Sequence, residues 1–447
     1  MTQEDLDTFI EEATEADPSV EYGPGNERWE LRPLSEFIEP VLGKTPKRSE
    51  DDYWEGGDIK WASAKDISQS DIRHVYETED KMTDEGKEAS NAKILPEGTV
   101  VVVARGSVGE VAQLGEPMTF NQSCYALTTN DDLLDDYLYY AWQYVFGQVQ
   151  AISYGTVFDS ITMKSFKDIE IPCPPIEDQR RIAGALTALD DRIEVNKESN
   201  KALAETGEEI FEHWFVDQNF FDETDTQYLE EMDMEIPVEW EVKEMSEIAK
   251  IIDCLHSKKP DEQEQGKFYI EVNDIGENGE LHLDDQYLIS DEDYDEWTRR
   301  ITAKTGDVII SKDGKVGAVA QIPEGIEGAI GRNLVCIRPD GKNLSPPLLK
   351  EYMLSRLMRQ EIGEKTLSRS IFDTLHVSEI ESLRVVVPPQ EVRDQFDDVV
   401  KPIHRKINHN IKESITLEDM RDTLLPRLIS GEIRLNPQDN NDLEVTG

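Results

Sequence analysis

With 447 residues, 38% of them hydrophobic, the chain is too long for one ordinary core and has enough apolar material for two. Its 95 Asp and Glu against 46 Lys and Arg give a formal charge of −49, which excludes a basic, DNA-coating protein and suits a surface kept hydrated in a very salty cytoplasm. The four cysteines (Cys124, Cys173, Cys254, Cys336) form no CxxC pair, which excludes a disulfide framework or a zinc ribbon and fits a reducing compartment.

In chain order, residues 1–27 read as an acidic flexible tail. They have neither the basic start nor the apolar run of a leader, and no stretch of the chain is long and apolar enough to span a membrane. Residues 28–175 read as a mixed α/β module. In it Val100 to Ala104 is a β-branched strand entering the turn Arg105-Gly106-Ser107-Val108-Gly109, Leu133 to Val145 has helical spacing, and Ile169-Glu170-Ile171 is a short strand. That strand stops at Pro174-Pro175, which ends a ladder and opens a helix. A long helix over 176–217, a linker over 218–236 and a second module over 237–389 follow. The second module has a strand at Val308 to Ile310, a helix at Leu348 to Met358 and a strand at Leu383 to Val387 before Pro388-Pro389. A second long helix covers 390–435, and 436–447 is another acidic tail.

The second half repeats the first. Trp29-Glu30-Leu31 with Ser35-Glu36 returns as Trp240-Glu241-Val242 with Ser246-Glu247, 211 residues on. At an offset of 208, Trp61 to Ile67 answers to Tyr269 to Ile275, Gly98-Thr99-Val100 to Gly306-Asp307-Val308, and the turn at Arg105 to Gly109 to Asp313-Gly314-Lys315-Val316-Gly317. Phe158-Asp159-Ser160-Ile161 matches Phe372-Asp373-Thr374-Leu375 at 214, as do the double prolines. Small drifts in offset are what loop insertions produce. A mixed α/β module of roughly 150 residues followed by a long helix is therefore written twice.

Both helices carry a narrow stripe at alternating steps of four and three. In the first it runs Ile182, Leu186, Leu189, Ile193, Asn196, Asn200, Leu203, Gly207, Ile210 and Trp214. Phe396, Val400, Ile403, Ile407, Asn410, Ser414, Leu417, Arg421, Leu424 and Leu428 hold the same places 214 residues on. About 40 helical residues span roughly 60 Å, far beyond the usual helix, and a stripe this narrow suits another helix better than a sheet. The two helices are expected to pair antiparallel, with polar seam residues fixing the register, and Pro402 and Pro426 to kink or shorten the second.

Several chemistries lack their residues. The double prolines read Ile171-Pro172-Cys173-Pro174-Pro175 and Val387-Pro388-Pro389-Gln390, not the Asn-Pro-Pro-aromatic loop of an adenine methyltransferase. Gly43-Lys44-Thr45 has Ile38 where a phosphate loop needs its first glycine, so it reads as a turn. Pro260-Asp261 with Glu271-Val272-Asn273 would be a nuclease cluster only if a lysine stood at Asn273. The seven histidines form no ligand pair and no Ser or Cys sits in a nucleophile elbow, so no catalytic centre or metal site is expected.

The run from Ile169 through Pro174-Pro175-Ile176-Glu177-Asp178-Gln179-Arg180-Arg181-Ile182 to Ile193 resembles the signature of type I restriction-modification DNA specificity subunits, and the resemblance extends over residues 28 to 435. It implies an α+β fold: two mixed α/β target recognition domains joined by two long antiparallel coiled-coil helices, in a pseudo-two-fold internal repeat. The second copy departs from the signature at Arg393, which stands where the first has Gln179, and this puts the Gln179 contact in doubt there. The resemblance further implies a non-catalytic subunit that binds a bipartite double-stranded DNA target, one domain per half-site, with the helices setting the spacer. It would dock two modification subunits that methylate adenine with S-adenosylmethionine, and through them an ATP- and Mg2+-dependent restriction subunit that translocates and cuts. These cofactors belong to the partners, none to this chain, and the site of action is the cytoplasm. Together with the acidic surface, the resemblance points to a halophilic archaeon.

Because bases are read by side chains on groove-facing elements while phosphate contacts only position the protein, basic and amide residues near turns are the candidate DNA contacts. In the first module these are Lys44, Lys47, Arg48, Lys60, Lys65, Arg105, Asn121 and Gln122. In the second they are Lys258, Lys259, Lys267, Lys312, Lys315, Arg332 and Asn333. A two-headed adaptor whose modules hold proteins instead of DNA is the competing reading, and an acidic DNA mimic is disfavoured by the organised apolar modules.

Overall fold

The computed structural model describes residues 29–435 except 71, 155–159, 218–224, 231, 255–257, 277, 284–285 and 367–373, and only the backbone at 151–154. The two acidic tails, the first third of the expected linker, and the Phe158-Asp159 and Phe372-Asp373 parts of the repeat lie outside the described residues. The chain divides into two compact units, one running to Glu194 and resuming at Ser414, the other Val195–Glu413. Each unit thus takes one module and half of each long helix, where the sequence reading gave the helices ranges of their own.

In the first unit the all-valine strand Val100–Val103 is buried on both faces, Val100 and Val102 in one core and Val101 and Val103 in another, and it lies between Cys124–Thr129 and Val111–Leu114 in a sheet that Ile38–Leu42 and His74–Val75 complete at its edges. A smaller sheet pairs Ile59–Ala62 with Asp80–Met82 antiparallel and with Thr119–Phe120 parallel. The second unit repeats this plan. Val308–Ser311 is central to a sheet ordered Ala249–Asp253, Leu334–Pro339, Val308–Ser311, Val319–Gln321, and Lys267–Ile270 pairs parallel with Glu327–Ile330. In each, a two-stranded ribbon joins the start of the module to the strand before the double proline: Leu31–Pro33 to Glu170–Pro172, and Glu241–Glu244 to Arg384–Val387. Part of the expected linker is an antiparallel hairpin, Thr226–Leu229 with Met234–Pro237.

The repeat is also exact in backbone bonds that lie outside the ladders. Asn121 donates its N–H to Ala62 as Gly331 does to Ile270, Ala104 to Ser123 as Lys312 to Asn333, and Leu34 to Ile169 as Met245 to Leu383, all at 2.7–2.9 Å. Ile161 N–H to Ala104 and Leu375 N–H to Lys312 close each module onto its glycine turn.

The first long helix is α-helical over Ile176–Phe211 and ends in a wider π turn at Glu212–Val216; the second runs unbroken over Gln390–Ser430. At 1.5 Å per residue they are about 54 and about 62 Å long. Although shortening was one of the two effects expected of them, Pro402 and Pro426 therefore do not shorten the second helix. Both face solvent, where each missing N–H leaves a carbonyl that water can reach. The segment read as one helix at Leu348 to Met358 is two, Pro346–Leu354 and Arg356–Thr366. Ser355, extended between them, donates its hydroxyl to Tyr352 and accepts from the Met358 N–H, capping the second.

The helices pair antiparallel, and each unit shows it on its own. In the first, Ile182, Leu186, Leu189 and Ile193 share a core with Leu417, Leu424 and Leu428. In the second, Phe396 and Val400 pack with Phe211 and Trp214. Asn196 and Asn410 are both buried; Asn196 donates to Glu413 at 2.9 Å and Asn410 to Asn200 at 2.8 Å. Four apolar residues of the expected seam, Leu203, Ile210, Ile403 and Ile407, are only half-buried, because Ala204, Phe211 and His404 beside them take the inward places. The starting tryptophans mark the geometry: Trp29 donates its indole N–H to Leu428 at the end of the second helix, and Trp240 packs on Phe215 at the end of the first.

Candidate nucleic-acid interface

At one end of each main sheet, loops converge that carry most of the expected contacts. In the first unit the Ile38–Leu42 strand runs into Gly43-Lys44-Thr45, an irregular segment where the sequence suggested a turn. It lies against the Asn121–Ser123 loop. Gly43 donates to Cys124 at 3.1 Å, Lys44 to Phe120 at 3.0 Å, and the Gln122 N–H reaches the Thr45 hydroxyl. Only glycine fits at position 43, since a Cβ there would lie 1.9 Å from the Asn121 carbonyl oxygen. Ser123 in turn holds Ala104, the last residue before the turn that exposes Arg105. That turn needs Gly106 and Gly109 at φ of 89° and 97°, and its counterpart needs Gly314 and Gly317 at 83° and 80° while exposing Lys315.

Lys44, Gln122 and Arg105 are thus brought together, exposed, on adjoining loops, and the Asn121 side-chain oxygen accepts the Ser123 N–H within its own loop. Arg48 is locked between Trp54 and Trp61, 4.1 and 4.6 Å from their ring centres, and pairs with Asp80 at 2.6 Å. Lys60 is largely covered; its hydrogen bond to Glu116 raises its pKa despite burial, and Glu77 adds to this. Lys65 pairs with Glu79 at 2.9 Å, and Lys47 stands 4.0 Å from Glu50.

In the second unit Lys312 lies at the matching strand end, with its Nζ on Asp253 and its backbone N–H on Asn333. Arg332 is exposed, and its backbone N–H faces the Tyr269 phenol, whose pKa burial pushes up to about 12. Lys259 pairs with Glu271 at 2.6 Å and lies over the Tyr287 ring, and Lys267 is 5.9 Å from the Tyr294 ring centre. Lys258 is exposed beside the undescribed 255–257.

The sequence reading missed Arg299 and Arg300. They follow the helix Asp291–Trp297, and Arg300 donates to the Asp253 carbonyl at 3.2 Å. Together with Trp297, Ile301 and Ile330 they line a cavity of about 180 Å³ beside Lys312. Adjacent arginines are a usable signal in so acidic a chain, but here they sit outside any turn marked by glycine or proline. Among the described residues, no three His, Cys, Asp or Glu side chains could together hold a metal ion, and no helix is long and apolar enough to cross a membrane.

The remaining departure from the signature is resolved by geometry. Gln179, buried, donates to the Asp132 and Pro174 carbonyls and accepts from the Leu134 N–H. Arg393 reaches the carbonyls of Lys342 and Asn343, so the longer side chain grips the equivalent loop.

The family model for the type I restriction modification DNA specificity domain matches the chain twice, over residues 26–205 and 237–417. The MjaIX type I restriction enzyme specificity subunit of Methanocaldococcus jannaschii is 29% identical over 419 residues, covering 91% of this chain and 94% of that one. The EcoR124I/EcoR124II specificity subunit of Escherichia coli is 28% identical over 180 residues, 39% of this chain and 43% of that one. The crystal structure of a type I restriction-modification S subunit from M. genitalium shares the fold, at a TM-score of 0.50 and 18% identity, over 91% of this chain and 98% of its own.

Proposed function

Because the chain belongs to the type I restriction modification DNA specificity family, we propose that it reads a split double-stranded DNA target, one recognition domain on each half-site. One observation carries this reading. The same backbone skeleton presents two equivalent loops in each module, but with unlike side chains: Arg105 and Gln122 on one, Lys315 and Arg332 on the other. Two equal scaffolds bearing different donors and acceptors suit two different half-sites.

On this reading the chain is non-catalytic and works in the cytoplasm. It docks two modification subunits that bring S-adenosylmethionine, and through them a restriction subunit that uses ATP and Mg2+. Mapping methylated adenines in the source genome, with and without this gene, tests the reading: a bipartite motif that disappears with the gene is expected, and a continuous motif or an unchanged map refutes it.

The carboxylate excess supports a salt-rich cell interior as well, since screening within a few ångströms relieves self-repulsion. Phosphate attraction falls steeply in such salt, so affinity rests on base contacts and fit. An unfolding midpoint that does not rise between dilute and molar KCl would exclude a halophilic origin.

A further inference from the structure

Each recognition domain is held on its helix by polar side chains at three positions that recur 214 residues apart: 179 and 393, 190 and 404, 194 and 408. The first grips loop carbonyls in both copies, as described above. The third seats the module's edge: Glu194 meets the His74 ring of the edge strand at 3.2 Å, and Asn408 accepts the N–H of Glu324 at 2.7 Å.

The middle position is buried, and its chemistry is inverted between copies. In the first unit the helix supplies the acid. Asp190 accepts from the Tyr140 phenol at 2.6 Å and from Arg421 of the other helix at 3.0 Å, while Arg73 reaches Thr187 one turn away at 2.6 Å. In the second unit the recognition domain supplies the acid. Glu351, at the place of Tyr140, meets His404 at 2.7 Å, and the other His404 nitrogen faces Gln321 at 3.2 Å. Lys350 stands 3.9 Å from the same carboxylate. Gly207 occupies the place of Arg421 and makes room: even a Cβ there would lie 3.1 Å from Glu351.

Apolar contacts tolerate sliding by a fraction of an ångström, whereas a buried, directional polar pair has one register and is costly to leave half-made. We propose that the Tyr140–Asp190–Arg421 and Glu351–His404–Gly207 layers are positioning devices that fix each domain on its helix and so set the half-site spacing the protein accepts. This rests on the two-half-site reading above. The layers are also unlike enough to be exclusive, since Glu351 against Asp190 would bury two facing carboxylates.

The test uses the full chain assembled with its modification subunits, and targets whose spacer is native, one base pair shorter or one longer. Tyr140→Phe and Glu351→Leu should each lower the ratio of methylation at native over altered spacing about tenfold, with the bases preferred in each half-site unchanged. A merely structural loss lowers methylation at all three spacings alike and leaves the ratio where it was. His404→Asp should be worse than either, and the triple variant G207R/E351Y/H404D, which transplants the first layer into the second unit, should restore the ratio to within about twofold of the parent. Parental ratios in both single variants, or a triple variant no better than His404→Asp alone, overturn the assignment. A parent that methylates no split target overturns instead the reading on which the assignment rests.

Discussion

Gly43→Ala tests whether the converging loops of the first unit read DNA. The added Cβ would stand 1.9 Å from the Asn121 carbonyl oxygen and 2.6 Å from that of Phe120, both backbone atoms that cannot rotate aside. To reach even 3.0 Å, a separation real Cβ atoms essentially never undercut, the Lys44 and Asn121–Ser123 loops must part by about 1.1 Å. Hydrogen bonds to base edges do not survive a shift of that size, and losing one well-aligned pair costs about 1–3 kcal/mol, roughly a fivefold to 150-fold drop in affinity. The control is Gly98→Ala, which precedes the Val100–Val103 strand at the end opposite the Arg105 turn. There φ is +81° and nothing lies within 4 Å, so a strain of about 1 kcal/mol appears without moving the loops. Competition binding with targets altered in one half-site at a time should show Gly43→Ala indifferent to the first half-site and normal toward the second. Parental discrimination at both, or an equal loss in Gly98→Ala, would refute the placement of the interface.

Two further outcomes follow from the second unit. Phe396 is fully buried among Phe211, Trp214 and Phe215, with ring centres 6.0, 5.7 and 5.0 Å away. Phe396→Ala should cost about 3–5 kcal/mol, whereas Val399→Ala, at a side chain 44% exposed, should stay within about 0.5 kcal/mol. Denaturant unfolding followed by tryptophan emission measures both, and equal losses would contradict the packing. Asp274, driven up to about 6 chiefly by burial, binds its proton more tightly folded than unfolded. Its stabilising contribution is therefore complete below about pH 4 and lost as pH rises through 6, by about 1 kcal/mol after allowing for partial solvent screening. Asp274→Asn keeps an oxygen for the Glu271 N–H and should flatten the difference between variant and parent profiles above pH 6; parallel profiles from pH 4 to 7 would exclude it.

The parts of this fold that depend on local chemistry were legible. Trp29 and Trp240, the paired glycine turns and the double prolines announced the duplication, and the inward residues from Ile182 to Ile193 appeared at their helical spacing. What escaped depends on residues far apart in the chain. Nothing near His404 marks it as buried, because its partners Glu351 and Gln321 lie 53 and 83 residues away. Lys60 looks like a free cation until folding brings Glu116 to it, and the parallel pairing of Trp61 with Thr119 belongs to the sheet, not to either strand. The prolines misled for a related reason: local propensity condemned Pro402, and the packing of a long helix against its partner overrode it.

The contact at Trp29 bears on how such a chain is ordered. Its backbone N–H lies 3.3 Å from the Ser430 carbonyl, and Gly431, at φ 79°, turns the chain off the helix against the Trp29 ring. The start of the first repeat and the end of the second helix therefore lie side by side within the first unit, so a short bridge between them would close the described chain into a ring. In a ring, which repeat is encoded first carries no structural meaning. Bridging Leu435 back to Trp29 and opening the chain between the first helix and the second repeat should give a permuted protein that keeps the contacts within each unit while the order of the two repeats in the gene is exchanged.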